Sequence, residues 1–116
     1  MPLDDMDRSL SITETDETTA MLIRARSLLE RGWRRWTQAR DGDGNPLEYD
    51  DKRAVRWCAN SALLLAGMPE VLTDHPALGR FKAATGGIHI TLFNDAQETV
   101  EPVLAAFDRA IAGGPH

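Results

Sequence analysis

A single cysteine, Cys58, cannot close an internal disulfide, and that fits a reducing compartment. The chain is therefore expected in the cytoplasm. No apolar run is long enough to suggest a membrane-spanning helix. Residues 1–20 carry Asp4, Asp5 and Asp7 and no apolar h-region, so no secretory signal is expected there. Gly-rich phosphate loops, H-E-x-x-H and G-x-S-x-G are all missing, which removes the usual signatures of nucleotide hydrolysis, zinc proteolysis and α/β-hydrolase chemistry. Bases are in the minority. Thirteen face eighteen acids for a net charge of −5, which argues against a nucleic-acid partner.

What is present suffices for one domain. The 116 residues, 42% of them apolar, are expected to bury roughly two-thirds of their unfolded surface around one modest core. Charge alternates in blocks along the chain. Residues 1–17 hold six acids against Arg8, and residues 24–40 hold six arginines against Glu30. Residues 41–51 then hold five acids and no base. Such alternation can be satisfied within one molecule.

Residues 1–12 have no sustained apolar period and read as a flexible acidic arm, followed by a single domain over 13–112 and a tail over 113–116. Capping residues predict a helix start near Thr13–Asp16, with an apolar stripe through Met21/Leu22, Ala25, Leu28/Leu29, Gly32/Trp33 and Trp36. The turn chemistry of Asp41-Gly42-Asp43-Gly44-Asn45-Pro46 predicts a hairpin over 36–49. A helix over about 52–66 is expected to carry Cys58 in its interior and to end at Gly67. A further helix is expected to be capped by Asp74, with Pro76 in its first turn, anchored by Leu72, Leu78 and Phe81 and stopped by Gly86-Gly87. The alternation Ile88-His89-Ile90-Thr91-Leu92 predicts a strand over 88–93. The last helix should start at Thr99, because Pro102 is tolerated only in the first turn. The expected fold is α+β: three to four helices around the Cys58 helix, with a small antiparallel sheet from the hairpin and the 88–93 strand.

Gly32-Trp33, the acidic turn-rich loop, Cys58-Ala59-x-x-Ala62-Leu63-x-x-Ala66, Phe93-Asn94-Asp95 and Val103-Leu104 with Ala110-Ile111 form an ordered pattern. That pattern resembles a family of small bacterial and phage proteins catalogued as a domain of unknown function, over about residues 17–112. The resemblance implies a compact, mostly helical α+β domain and no assigned activity, cofactor or catalytic residue. His89 lies outside the pattern.

Three chemistries can be weighed. Cys58, His89 and Asn94 or Asp95 occur in the chain order of a papain-like hydrolase, in which thiolate, imidazole base and orienting group cooperate. No nucleophile signature surrounds Cys58, however, and free cysteine usually behaves as a small buried hydrophobe. Asp41, Asp43 and Asn45 copy the opening of an EF-hand loop, yet Pro46 stands where that loop has its glycine and Lys52 where it has its glutamate. A turn explains them more simply. His75 and His116 share no ligand spacing with Cys58, so no metal or other cofactor is expected. The Arg24–Arg40 face, with Trp33 and Trp36, suits phosphates or an acidic protein partner. The reading favoured is a small non-catalytic interaction or accessory protein, monomer or homodimer, with a phage origin as one expectation. It contacts a macromolecule, most naturally a protein, through Arg31, Arg35, Trp36, Asn94, Asp95 and the 41–51 loop.

Overall fold

The computed structural model describes the backbone of residues 2–69 and 75–113, and side chains from Glu17 onward. Helix α1 spans Pro2–Arg31. It begins well before the capping signals at 13–16, and neither glycine nor proline stands between Leu3 and Arg31 to interrupt it. Its buried stripe is Met21, Leu22, Ala25 and Leu29, part of the 3.6-residue period read from the sequence; Trp33 and Trp36, read as its continuation, lie beyond the end of the helix.

Gly32 turns the chain out of α1 and into a small sheet. Its N–H still donates to the Leu28 carbonyl at 3.0 Å, while its own carbonyl accepts from Trp57 N–H at 3.1 Å. A Cβ at this position would lie 1.9 Å from the Val55 carbonyl oxygen, so only glycine lets the two backbones approach this closely. Strands β1 (Ala39–Arg40), β2 (Pro46–Leu47) and β3 (Arg56–Trp57) form an antiparallel sheet in the order β2-β1-β3. Ala39 pairs with Leu47 on one side and Trp57 on the other. The hairpin is the one its turn residues predict, with Gly44 at φ 88° and closed by Asp41 N–H to Asn45 O and Gly44 N–H to Asp41 O.

The α+β class holds, and two element assignments are corrected. The segment over 52–66 is not one helix: β3 comes first, and α2 is confined to Ala59–Leu65. Cys58 is the cap of α2 and not an interior residue, its Sγ accepting from Ser61 N–H at 3.4 Å. The helical period ran on through this boundary because cysteine is not among the usual capping residues. The segment over 88–93 is likewise no strand. Helix α4 occupies Ile90–Asp95, with His89 Nδ1 accepting from Thr91 N–H as its cap. Gly86 and Gly87, at φ 75° and 98°, turn the chain so that Ile90 and Asn94, four residues apart, both face inward. Burial at helical spacing overrides the local β-propensity. The third strand is therefore Arg56–Trp57.

Helices α3 (Pro76–Ala84) and α5 (Glu101–Ala112) pack together and against α1. Pro76 and Pro102 both sit in first turns, as expected. The cap of α3 is His75, whose Nδ1 accepts from Ala77 N–H; Asp74 and Leu72 lie outside the described residues. Phe81 is buried between Phe93 and Phe107, with edge-on ring centroids at 5.7 and 5.0 Å. Among the described residues, no helix is long and apolar enough to cross a membrane.

Candidate functional site

Asn94 organises the region where α4, α2 and the segment after α1 meet. It is fully buried, and its Oδ1 accepts from Trp33 Nε1 at 2.7 Å and from Ala59 N–H at 3.0 Å. Its Nδ2 donates to the Arg34 carbonyl at 3.3 Å and to Asp95 Oδ1 at 3.2 Å. The carboxamide thus ties together three stretches that are far apart in sequence. It satisfies the first amide of α2, an N–H that has no partner inside the helix.

Asp95, next in the chain, faces outward and fixes Trp36. Its Oδ1 accepts from Trp36 N–H at 2.8 Å. Trp36 has φ 72°, the only positive value at a non-glycine among the described residues, and is 69% exposed. Arg35 donates to the Gln97 carbonyl at 2.6 Å and stacks its guanidinium 4.1 Å from the Trp36 ring centroid. A bulky residue in the left-handed region is strained, and strain of this kind concentrates at functional sites.

Trp36 forms one wall of an open pocket of about 500 Å³. Thr37 and Gln38 line it from the segment before β1, Glu48, Tyr49 and Asp50 from the loop after β2, Cys58 from the cap of α2, and Asn60, Ser61 and Leu64 from α2 itself. Thr91 and Asp95 close it from α4. Gln38 Oε1 accepts from Tyr49 N–H at 3.0 Å and pins that loop over the cavity.

Trp36, Asp95 and Cys58 thus come together, with Arg35 behind the indole. Arg31 does not join them. It lines a separate shallow groove with Ile23, Leu28 and Leu65. Cys58 is half-buried, and its Sγ–H donates to Ser61 Oγ at 3.2 Å. His89 is exposed, outside the pocket, with no hydrogen bond to Cys58. Asp41 is occupied within its own turn, accepting from the N–H groups of Asp43 and Asn45 and from the Asn45 side chain. These bonds, Asn45's first, hold its carboxyl below the usual range. The carboxyl pKa of Asp51 is also lowered, to about 2, chiefly by the Arg53 side chain. Among the described residues no three His, Cys, Asp or Glu side chains gather as a cation site. Gln38, Asn60 and Thr91 carried no sequence signal, because each reaches the pocket only through the tertiary fold.

The model of a family of unknown function, DUF6197, matches residues 13–113. No curated protein and no solved structure matches the chain.

Proposed function

The chain belongs to the DUF6197 family of unknown function, and from its own geometry we propose that it is a small, non-catalytic interaction protein that seats a segment of a partner in the Trp36 pocket. One observation carries this reading: an exposed indole is held at φ 72° by Asp95 at the mouth of a cavity. An exposed tryptophan fixed in place is the kind of anchor that dominates protein interfaces. The single cysteine supports a cytoplasmic setting, as monomer or homodimer. A hydrolase built on Cys58 and His89 has less behind it, since the thiol caps α2 and the imidazole caps α4.

A photo-crosslinking residue placed at position 36 or 49 in growing cells tests this. Both positions are expected to give a discrete adduct with one macromolecule, while the exposed Lys82 position gives none. Equal yield at position 82, or no adduct at 36 and 49, would sink the proposal.

A further inference from the structure

We infer that the occupant of this pocket is a basic protein segment whose arginine or lysine side chain enters between the indole and the carboxylates; the inference rests on the pocket reading above. Charge complementarity identifies the partner. The lining holds three acids, Glu48, Asp50 and Asp95, and no base. Among the described residues neither Glu48 nor Asp50 has an ion pair. Two arginines of the same region are already engaged, and Lys52, exposed beside the loop, does not line the pocket. Arg53 makes two side-chain bonds to Asp51, at 3.0 and 2.9 Å, and Arg35 is committed to Gln97 and to the Trp36 ring. Like charges lining one hollow repel one another, and an entering cation relieves that repulsion.

The remaining walls suit the same guest. Aromatic faces attract guanidinium and ammonium groups, and Arg35 on Trp36 is an example within the molecule itself. Leu64 offers apolar surface to the aliphatic stem of such a side chain, and Asn60 and Thr91 offer hydrogen bonds to the adjoining backbone. The volume of about 500 Å³ suits one or two long side chains and not a folded element. A phosphate-bearing partner would meet three carboxylates and be repelled.

The test is fluorescence anisotropy on the full chain with a short labelled peptide alternating arginine and glycine, against the same peptide carrying glutamine or glutamate instead. Only the arginine peptide is expected to bind, more weakly as salt rises. Trp36→Gly, and Glu48→Gln with Asp50→Asn, should each weaken it about tenfold, whereas Glu17→Gln with Glu98→Gln removes equal charge elsewhere and should change it by less than about twofold. Equal loss from the Glu17/Glu98 pair, or equal binding of the glutamine peptide, would overturn the inference. So would full displacement by an equal concentration of spermidine, which would put a small polyamine in the segment's place. If crosslinks at position 36 persist while the arginine peptide fails to bind, the partner class is wrong and the pocket stands. If both fail, the pocket reading falls as well.

Discussion

Trp36 and Asn94 are adjacent to the same aspartate and play opposite parts. Trp36 is strained and exposed, so its indole contributes little to folding. Replacing it with glycine removes a left-handed penalty of about 1–2 kcal/mol and adds back a comparable backbone entropy cost. Trp36→Gly should therefore leave the melting temperature within a few degrees of the parent, while removing one wall of the pocket. A large fall in a thermal melt would mean that the indole is structural and that the strain has another origin. Asn94 is the reverse case. Asn94→Ala would strand the Trp33 and Ala59 N–H groups in a buried setting, at about 1–3 kcal/mol for each unsatisfied donor. Chemical denaturation should show a loss of about 3 kcal/mol or more, and a loss below about 1 kcal/mol would contradict the network. Phe93-Asn94-Asp95 stood out in the sequence as two polar residues after an apolar run. The division of labour between a buried tie and an outward clamp was not legible, because it depends on which face of α4 meets α2.

At the scale of elements, the sequence was most readable where chemistry is local. Turn residues located the β1–β2 hairpin, prolines located the starts of α3 and α5, and the apolar period located the buried face of α1. It misled where the deciding contact is distant. Five alternating residues at 88–92 fit a strand by themselves and fold as a helix because Ile90 and Asn94 have partners inside. Gly32 illustrates the same point, since nothing in Gly32-Trp33 reveals that the Val55 carbonyl occupies the space a side chain would need. Gly32→Ala should force β3 away from the end of α1 and cost about 3 kcal/mol, read as an early midpoint in urea; full stability would show that the backbones can part freely. The acidic loop gives a pH signature. Asp51 has its folded pKa lowered from 3.8 to about 2 by Arg53. Its contribution is therefore fully present above pH 4 and lost as pH falls through about 2. Carboxyl NMR titration should place the Asp51 midpoint near 2, and Arg53→Gln should return it towards the ordinary range. A midpoint near 4 with Arg53 intact would rule out the pair in solution.

Across the whole molecule, three arginines share a task that the charge blocks only half suggested. Alternating acidic and basic stretches implied acid–base pairing, and Arg26 does pair with Glu30 and Asp108. Arg53 likewise pairs with Asp51, while five others among the described residues reach backbone carbonyls instead. Arg24 donates to Ala66 O at the end of α2, Arg109 to Ala84 O at the end of α3, and Arg80 to Ala110 O and Ile111 O near the end of α5. Each places positive charge where a helix presents unpaired carbonyls and the negative end of its dipole. The planar fork suits this task better than an ammonium, because one guanidinium can serve several acceptors in fixed directions. Arg80 binds the assembly most widely, since its Nη1 also donates to Thr19 Oγ1 on α1, joining α1, α3 and α5. Burial pulls its pKa down, a sign that the charge is partly desolvated and depends on these acceptors. Arg80→Ala should cost about 2–3 kcal/mol, and Arg80→Lys should recover less than half because an ammonium cannot span both carbonyls and the hydroxyl. Arg109→Ala, at an exposed site with one bond, should cost less than about 1 kcal/mol. Denaturant melts of the three variants give the order directly. If lysine restores full stability at position 80, charge at the helix end is what matters, and the three-helix clasp is not.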